Sequence, residues 1–587
     1  MPQKPPHQRS LSLLYLLWLA AAGLARGEET VGVCPRPAPG SAVPEPRDLR
    51  SHDGVLKVDL TFRNVPGPKG SKRYCYLLPD GTQSPTLRLH PGDLLILHLK
   101  NALSDAPSAG STTPVSTHAA HMHTPAVAAG DPCTSGAMTP TATNLHFHGL
   151  TVPPVCHQDE VVTTSIQPQD PPFEYRFRVP QGEPPGLYWY HPHIHGFSSV
   201  EVQGGASGAL IIEGLERANH AVAGLPERVL VIRDQDLVNP DAPPSKSEPV
   251  VPKMLIDRDG DSANNGTGFG RPAKDLSVNF VPIPYPDYPP ASLAMKPGER
   301  QLWRVLNSSA VTYLNLAVLF RRAPQPLGIV AIDGVPIHSA ADAAAVEWQD
   351  HIGVPPGARV EFIVTGPPLG MPALLVTRTV DTGQGGENDP NRALATITAA
   401  ADAPEPVATL PTATAPLPAP ARPWLGDVAP VRVRKLYFSE KLSDPQNPNS
   451  ATAFYITVDG KEPAPFDPAA GPDIVVHQGD VEDWIIENRS TELHAFHIHQ
   501  LHFLVVDWSG IPVHEPFLRD TVNVPYFNGR MLQYPSVRLR MDFRDPDSVG
   551  TFPYHCHLLE HEDGGMMALV RVVPASHGEQ ADETQPR

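Results

Sequence analysis

The sequence predicts an all-β fold with three β-sandwich domains, and two observations support that prediction. Short runs of β-branched and aromatic residues are bounded by Gly, Pro, Asn and Asp, 71 of the 587 residues are proline, and no long stretch has helical periodicity. One strand-turn unit also occurs three times, opening at Pro91-Gly92-Asp93, Pro297-Gly298-Glu299 and Gln478-Gly479-Asp480. Each copy begins an apolar strand that ends in asparagine (Asn101, Asn307 and Asn488), at the same distance from its glycine. Three copies of one unit indicate three similar domains.

We expect these domains at residues 54–215, 225–400 and 430–575. A chain of 587 residues exceeds what one hydrophobic core usually serves, so more than one domain is required. Residues 399–424 are rich in Ala and Pro and are predicted to form a semi-rigid linker between the second and third domains.

Residues 1–27 are predicted to be a removable export signal. Lys4 and Arg9 give a positive start, residues 11–25 are apolar, and Ala25-Arg26-Gly27 is a small-residue cleavage pattern. A membrane anchor is the alternative, but the apolar run is short for a span and no second hydrophobic stretch follows. We therefore expect an exported protein, either periplasmic or secreted, without an integral membrane span once the signal is removed.

Charge and cysteine content restrict the partners and the covalent structure. The formal net charge is −18 at pH 7, and an acidic surface of this size argues against nucleic acid as a partner. Nothing in the sequence indicates an oligomeric state. Cys34, Cys75, Cys133 and Cys156 lie in the first part of the chain, and in an exported protein they predict two disulfides with three possible connectivities.

Three asparagines match the acceptor pattern for N-glycosylation, Asn265, Asn307 and Asn488. Asn307 and Asn488 also close the repeated strands, so a structural role accounts for them first. Asn265 is the better candidate for a glycan.

Histidines occur in four His-X-His pairs, and a cysteine separates the two histidines of the last pair. The pairs are His146/His148, His191/His193, His497/His499 and His555/His557, with Cys556 in the last. In an extended segment alternate side chains point to the same face, so each pair presents two imidazoles together while Cys556 points the other way. This pattern predicts two adjacent metal centres.

The residues around Cys556 select the metal. Imidazole alone suits copper, zinc, iron and nickel. His494, His561 and Met566 lie near the last two pairs, and two histidines, a thiolate and a weak thioether are the ligands of a blue-copper site. A structural zinc site would usually contain more cysteines.

The four motifs resemble those of the multicopper oxidases, a laccase-like, three-domain family. They read Asn144-Leu-His-Phe-His-Gly-Leu150, Tyr188-Trp-Tyr-His-Pro-His-Ile-His-Gly196, His494-Ala-Phe-His-Ile-His499 and His555-Cys-His-Leu-Leu-Glu-His561. Two positions depart from the usual pattern, Ala495 in place of proline and Gln500 in place of glycine, and neither removes a ligand. The resemblance implies cupredoxin-like Greek-key β-sandwiches.

The resemblance also implies four copper ions and a role for each ligand. His494, Cys556, His561 and the axial Met566 match the type 1 copper ligands, and His146 and His497 match the type 2 ligands. The two type 3 ions would be bound by His148, His191, His193, His499, His555 and His557. His195 and His502 lie beside the motifs and are expected to be structural.

The motifs fall in the first and third predicted domains, while the segment between these two domains contains only the unpaired His220, His338 and His351. The copper cluster is therefore expected between the outer domains, with the middle domain as a spacer. Because its ligands come from distant parts of the chain, folding and metal loading should be coupled. Residues 103–143 form a Ser/Thr/Ala/Pro-rich insertion with His118, His121, Met122 and His123, either a solvated surface loop or an accessory copper-binding loop.

By resemblance, the chain should couple four one-electron oxidations of a small reducing substrate to the reduction of dioxygen to water. Electrons would enter near an exposed edge of His494 or His561, and a carboxylic acid near the cluster would supply protons. Glu562 matches the acid of bacterial relatives, and Asp159 is the second candidate.

An axial methionine favours easily oxidised donors, so phenols and aminophenols are expected. Cuprous, ferrous or manganous ions and bilirubin are alternatives within the family, although the 10 methionines form no methionine-rich stretch of the kind that copper exporters carry. A copper-binding scaffold without catalysis is the alternative outside the enzymes, and all ten histidine ligands and Cys556 argue against it.

Overall fold

The computed structural model describes residues 33–104, 130–243, 270–339, 344–412, 422–444, 446, 450 and 452–575. Within these ranges most regular structure is β-strand, and the strands form six sheets in three consecutive pairs, so the all-β prediction is confirmed. The predicted export signal, Asn265 and the histidines of the 103–143 insertion lie outside the described residues. In the described ranges, no helix is both long and apolar enough to cross a membrane.

The first pair of sheets precedes residue 215. Its strands are β1 (Asp48–Arg50), β2 (Val55–Pro66), β3 (Lys72–Leu77), β4 (Thr86–Leu89), β5 (Leu94–Asn101), β6 (His146–His148), β7 (Phe173–Arg178), β8 (Gly186–His191) and β9 (Gly208–Ile212). One sheet has the order β3-β2-β5-β7 and the other β1-β4-β9-β8-β6. Leucine and aromatic side chains from both sheets fill the space between them.

The second pair carries no His-X-His motif. Its strands are β10 (Pro226–Gln235), β11 (Asp275–Val278), β12 (Val281–Ile283), β13 (Ala291–Met295), β14 (Arg300–Asn307), β15 (Leu314–Phe320), β16 (Ala323–Gln325), β17 (Leu327–Ile332), β18 (Val335–Pro336), β19 (Glu347–Gln349), β20 (Ile352–Val354), β21 (Arg359–Thr365), β22 (Ala373–Thr377), β23 (Arg392–Ala399) and β24 (Ala408–Thr409). The larger sheet follows the order β12-β11-β10-β14-β21-β17-β18, and the smaller one β13-β23-β22-β15-β16.

The third pair contains the last two motifs. Its strands are β25 (Arg432–Leu442), β26 (Thr452–Val458), β27 (Ile474–His477), β28 (Val481–Asn488), β29 (His494–Ile498), β30 (Phe503–Trp508), β31 (Ile511–Pro512), β32 (Leu518–Arg519), β33 (Thr521–Val524), β34 (Ser536–Asp542), β35 (Gly550–Cys556) and β36 (Met567–Val573). The sheet orders are β26-β25-β28-β34-β30-β31 and β27-β36-β35-β29-β33.

Helices are few and short in the described ranges. The α-helices are α1 (Ser198–Gln203), α2 (Leu215–Ala218) and α3 (Leu559–Asp563), and 3-10 turns occur at Pro68–Gly70, His220–Val222, Leu425–Asp427, Pro468–Ala470 and Pro546–Ser548. Helices α1 and α3 contact each other, and each follows a histidine motif in the chain. They therefore join the first and third sheet pairs beside the motifs.

The three copies of the repeated unit fold alike. Strands β5, β14 and β28 each run parallel to the first long strand of their sheet, which is β2, β10 or β25. The glycines before them, Gly92, Gly298 and Gly479, have φ values of 90°, 70° and 102°, which favour glycine because a Cβ crowds the backbone there.

The closing asparagines make equivalent hydrogen bonds in all three copies. The side-chain amides of Asn101, Asn307 and Asn488 each donate to two backbone carbonyls, and each side-chain oxygen accepts the N–H two residues later. All three are buried, which accounts for Asn307 and Asn488 as structural residues.

The cysteine pairing that the sequence left open is Cys34–Cys75 and Cys133–Cys156, with Cα–Cα distances of 5.7 and 5.5 Å. The first disulfide joins the segment before β1 to β3. The second joins two loops that flank β6. Both predicted disulfides are therefore present, and both restrain the first sheet pair.

Candidate metal centres

Strand pairing places the histidines of the first domain side by side. Strand β6 runs antiparallel to β8, with His146 opposite His191. Their ring centroids lie 5.3 Å apart, and His193 follows β8 at 5.7 Å from His146. A β ladder thus fixes the positions of the imidazoles in both motifs.

Antiparallel strand pairing also places the histidines of the third sheet pair opposite each other. Strand β29 runs antiparallel to β35, with His497 opposite His555 and Phe496 opposite Cys556. Because neighbouring side chains of a strand alternate between faces, His555 and Cys556 leave the sheet on opposite sides. One strand therefore carries residues of two different sites.

The histidines of the two regions meet in one buried group, which we call the histidine cluster. Its members are His146, His148, His191, His193, His497, His499, His555 and His557. The ring of His146 stacks on His499 with centroids 3.8 Å apart, and His148 stacks on His497 at 4.0 Å. Every member is at most 2% exposed. Two sequence regions separated by about 300 residues thus form one site between the outer sheet pairs.

Ring nitrogens in the cluster are divided between anchored atoms and atoms without a partner. Nδ1 of His146 contacts the carboxylate of Asp159 at 3.0 Å, and Nδ1 of His191 contacts the carbonyl of Pro192 at 2.9 Å. Within the described residues, Nε2 of both rings has no hydrogen-bond partner. A metal-binding histidine typically uses one nitrogen for the metal and fixes its ring through the other. The cluster fits that pattern.

The protonation state also suits metal binding. Burial, and then the neighbouring imidazoles, lower the pKa of His148, His191 and His497 well below the usual value. Burial lowers the pKa of His555 to about 3. These rings are therefore neutral at pH 7, and only neutral imidazole binds a metal.

His494, Cys556 and His561 form a second group, which we call the cysteine site. The Cys556 sulfur lies 3.5 Å from Nδ1 of His494 and 3.8 Å from Nδ1 of His561, and the two nitrogens are 3.2 Å apart. Met566 is buried next to this group, where its backbone carbonyl accepts the Cys556 N–H and its N–H donates to His561. Three potential ligand atoms thus converge on one point.

A bound cation would suit the cysteine site. Burial raises the pKa of the Cys556 thiol to about 12, so the thiol keeps its proton when no cation is bound. A coordinating metal ion removes that proton and stabilises the thiolate. The donor set of two imidazoles and one thiolate favours copper over calcium or magnesium.

Comparison with known proteins agrees with this geometry. Family models of multicopper oxidases match residues 136–217 and 439–576. A multicopper oxidase of Staphylococcus aureus is 31% identical over 121 residues, which make up 20% of this chain and only 24% of that protein. One of Staphylococcus haemolyticus is 24% identical over 438 residues, 73% of this chain and 76% of that protein. A solved structure from Campylobacter jejuni, described as a multicopper oxidase and metallo-oxidase, matches with TM-score 0.61 at 24% identity, over 92% of this chain and 96% of that one.

The chain belongs to the multicopper oxidase family. That family binds copper, and the sheet pairs of this multicopper oxidase are of the cupredoxin type, so the predicted fold class is confirmed.

Both predicted proton carriers of this multicopper oxidase contact the histidine cluster. Glu562, on α3, lies 3.2 Å from Nδ1 of His555 and 3.6 Å from Nε2 of His193, and it is fully buried. Burial, and then the charge of Asp563, raise the pKa of Glu562 well above its usual range. Asp159 contacts Nδ1 of His146 and accepts the N–H of Phe147.

Sequence reasoning missed the residues that brace the cluster. The buried carboxylate of Asp520 lies 3.2 Å from Nε2 of His148 and accepts two hydrogen bonds from the guanidinium of Arg359, at 2.8 and 2.6 Å. Arg359 begins β21 of the middle sheet pair. Gly357 of the same segment lies so close that a Cβ there would approach Nε2 of His557 to 2.5 Å. The middle domain therefore contacts the cluster directly.

Gln500, one of the two departures from the family pattern, also contacts this region. Its side-chain amide donates to the Asp159 carboxylate, which in turn contacts His146. A glycine at this position could not make that bond. Gln500 has a φ of 56°, a conformation that explains why glycine is common there.

The prediction that His494 or His561 has an exposed edge is wrong, because both rings are buried. Glu440 lies 3.2 Å from Nε2 of His494, and Glu492 lies 3.5 Å from Nε2 of His561. Phe454 stacks on the His561 ring at 4.3 Å. Two carboxylates and one aromatic ring thus cover the side that the sequence left open.

Three further histidines of the described ranges, His195, His502 and His338, lie outside both groups. His195 packs against the ring of Phe466, and Nε2 of His502 bonds the carbonyl of Asp333. His338, in the middle domain, stacks on Trp424 with the ring centroids 3.9 Å apart.

Proposed function

We propose that this protein is an exported, laccase-like copper oxidase that couples four one-electron oxidations of a small reducing substrate to the reduction of dioxygen to water. The single observation that carries the proposal is the continuity of His555-Cys556-His557. Cys556 belongs to the cysteine site and both of its neighbours belong to the histidine cluster, so one covalent segment joins a one-electron site to a multi-metal site.

Four copper ions are proposed, each with its own ligands. The type 1 ion would be bound by His494, Cys556, His561 and Met566, and the type 2 ion by His146 and His497. The type 3 pair would be bound by His148, His191, His193, His499, His555 and His557. Bound copper supplies one-electron redox chemistry, which stores single electrons from the donor until dioxygen can accept four.

The protein contributes orientation and protons. Asp159 and Asp520 each hold one ring nitrogen of His146 and His148. Within the described residues, the other nitrogen of each ring has no partner and is available for a metal. Burial raises the pKa of Glu562, which favours the protonated carboxyl, and this carboxyl lies 3.2 Å from Nδ1 of His555. We assign Glu562 as the proton donor near the cluster, with Asp159 as the second candidate.

Metal analysis and spectroscopy test the copper assignment. The purified protein should contain close to four copper ions and show a blue absorption band that a Cys556→Ser variant lacks. A stoichiometry near one, or a colourless copper-loaded protein, would contradict it.

Oxygen uptake tests the donor. Phenols and aminophenols are the first candidates, and bilirubin, cuprous, ferrous and manganous ions complete the screen. A copper-loaded protein that consumes oxygen with none of them would support the scaffold alternative.

A metal-ion donor is the second candidate, and the carboxylates beside the cysteine site favour it. Burial acts to raise the pKa of Glu440, but its hydrogen bond with His494 and the charge there lower the pKa to about 2. Burial, and then the charge of Glu440, raise the pKa of Glu492. Glu440 is therefore ionised at neutral pH and lies at the edge of His494, and carboxylate oxygens of this kind attract small cations. The Campylobacter jejuni protein is itself described as a metallo-oxidase.

Glu440→Gln separates the two donors. Removing the charge should raise the KM for ferrous or cuprous ion while leaving the KM for a neutral phenol nearly unchanged. Glu487→Gln, on a neighbouring strand and paired with Lys435, is the matched control. An equal change in KM for both donors would contradict the cation route.

A further inference from the structure

A cavity lies between the first two sheet pairs. It has a volume of about 360 Å³ and is lined by the segment before β1, by the start of β4, by β9 and β10, and by the turn between β11 and β12. Pockets of about 300–1,000 Å³ are typical of sites for small organic ligands. None of its lining residues belongs to the histidine cluster or the cysteine site.

Two arginines line this cavity without an acidic partner, the buried Arg233 and the partly buried Arg36. Arg36 donates to the carbonyls of Cys34, Pro35 and Gly204 and to the side chain of Gln83. Arg233 donates to the hydroxyl and the carbonyl of Ser207. Among the described residues, no carboxylate lies within ion-pair distance of either guanidinium.

Both guanidiniums contact the same aromatic ring. Their Cζ atoms are 4.3 Å and 3.9 Å from the ring centroid of Phe280. The aromatic face attracts each cation, but it does not neutralise two positive charges. Burial lowers the pKa of both arginines to about 9, with a further contribution from Arg73 at Arg36 and from Arg36 at Arg233. The pair is thus charged at neutral pH and lacks a counter-ion.

Hydroxyl groups complete a polar wall. Ser84 and Thr86 line the same cavity, are 5% and 0% exposed, and have no hydrogen-bond partner for their side-chain oxygens within the described ranges. Buried hydroxyls are normally hydrogen-bonded. Two buried hydroxyls without a partner, in the same cavity as two guanidiniums without a carboxylate, are what an oxyanion would satisfy.

Glu45, the one acidic residue among the described residues that line the cavity, is already paired. Glu45 contacts the guanidinium of Arg228 at 2.5 Å, and Asp80 pairs with Arg47 at the rim. Neither carboxylate is therefore available to neutralise Arg36 or Arg233 in place of a bound anion. Much of the rest of the lining is apolar and consists of Pro35, Pro37, Pro44, Pro46, Ala209 and Val231.

We propose that this cavity binds a small organic acid, with its carboxylate on Arg36, Arg233 and the Ser84 and Thr86 hydroxyls and its apolar body against the prolines. Charge-assisted hydrogen bonds from guanidinium to carboxylate give such a site its affinity. The apolar lining selects an organic acid over an inorganic anion. Because the cavity joins the first two sheet pairs, the bound acid also ties the segment before β1 to the middle domain.

Calorimetric titration of the copper-loaded protein with benzoate, at constant ionic strength, tests the proposal. We expect saturable one-to-one binding and no change in the copper absorption bands. Inorganic phosphate, which lacks an apolar body, should bind at least several-fold more weakly. No saturable binding up to roughly 10 mM benzoate would overturn the proposal. So would equal affinity for phosphate, or a spectral change that moves benzoate to the copper ions.

Arg233→Met should weaken benzoate binding by about tenfold or more, since one charged donor is lost. Arg571→Met removes the same charge from an exposed position on β36 and should leave the affinity unchanged. If Arg233→Met does not fold, the near-isosteric Thr86→Val variant tests the same site. We expect it to lower the affinity for benzoate several-fold. Unchanged affinity in the cavity variant that folds would overturn the assignment.

Two acidic residues, Glu28 and Glu29, precede the described part of the chain, and substituting them gives a further test of the proposal. The Glu28→Gln/Glu29→Gln double variant should bind benzoate as the wild type does. Binding that is seen only in the double variant would show that carboxylates of the chain itself fill the cavity, and the proposal would then be wrong.

Discussion

The cysteine site and the histidine cluster are assembled in different ways. All residues of the cysteine site come from the third sheet pair, within 494–566, and strands β29 and β35 of one sheet carry two of its members. The histidine cluster takes four rings from the first pair and four from the third. Asp520 and Arg359 hold these parts together, and Arg359 belongs to the middle pair.

This difference separates local from global stability. The cysteine site needs one folded domain, whereas the histidine cluster needs all three in register. Changes at the domain contacts should therefore remove the cluster and spare the blue centre, and changes beside the cysteine site should do the reverse. Ligands that come from distant segments also make metal loading part of the folding free energy.

Asp520→Ala should have the largest effect. It removes the buried carboxylate that contacts His148 and accepts two hydrogen bonds from Arg359, and breaking a buried ion pair costs about 3–5 kcal/mol. Asp333, 3.6 Å from the same guanidinium, should keep the cost at the lower end of that range. We expect loss of the cluster copper, with the blue band retained. Metal analysis and denaturant unfolding measure the two outcomes.

Two further variants calibrate that result. Asp520→Asn keeps hydrogen-bonding atoms and should be intermediate. Asp473→Ala breaks an exposed pair with Lys461, and exposed pairs contribute only about 0–1 kcal/mol. If Asp520→Ala lost the blue band before the cluster copper, the proposed division between local and global sites would be wrong.

Glu562→Gln should slow oxygen turnover by roughly a hundredfold, since general-acid groups contribute about 10²–10⁴. The amide cannot supply the proton that the buried carboxyl holds, but it leaves the cysteine site untouched. Stopped-flow bleaching of the blue band measures reduction there, and oxygen uptake measures the cluster.

The matched control is Glu560→Gln, on the same helix, where the side chain contacts Lys274 instead of the cluster. It should leave both rates near the wild-type values. Equal slowing of the two steps in Glu562→Gln would remove Glu562 from the proton route.

The sequence predicted the residues of both groups because their chemistry is rare and their spacing follows the strand period. His-X-His pairs and Cys556 need no tertiary information to be recognised, and the glycine and asparagine of the repeated unit marked one strand in each sheet pair. The fold class followed from these local patterns. The roles of the individual ligands remain predictions.

Contacts between domains could not be predicted in the same way. Asp520, Arg359 and Gly357 are common residue types with no local pattern, and only the folded chain brings them to the cluster. The burial of His494 and His561 was missed for the same reason, since Glu440 lies on a strand more than 50 residues before His494. Cysteine pairing likewise depends on which loops are neighbours.

Gly357→Ala tests the closest of these contacts. Its φ of 84° disfavours alanine by about 1–2 kcal/mol, and the added Cβ would lie 2.5 Å from Nε2 of His557. We expect reduced cluster copper and slower oxygen turnover, measured by metal analysis and oxygen uptake. Gly353→Ala, nearby and with nothing within 4 Å of a Cβ, should leave both unchanged. Equal effects of the two variants would mean that backbone flexibility, and not contact with His557, decides the outcome.

Ser490→Ala should have the smallest effect and tests the other side of the comparison. The Ser490 hydroxyl lies 2.8 Å from Nε2 of His494, and losing one such hydrogen bond costs about 1 kcal/mol in the free energy of unfolding. Glu440 still contacts the same nitrogen, so the ring should stay in place. The blue band should shift slightly, while cluster copper and the rate of oxygen reduction stay at the wild-type values.

Ser71→Ala, which removes an exposed hydroxyl of the first domain, should leave the blue band, the cluster copper and the rate of oxygen reduction unchanged. A loss of cluster copper in Ser490→Ala would mean that the two sites are coupled through β29, because that strand begins at His494 and carries His497 into the cluster.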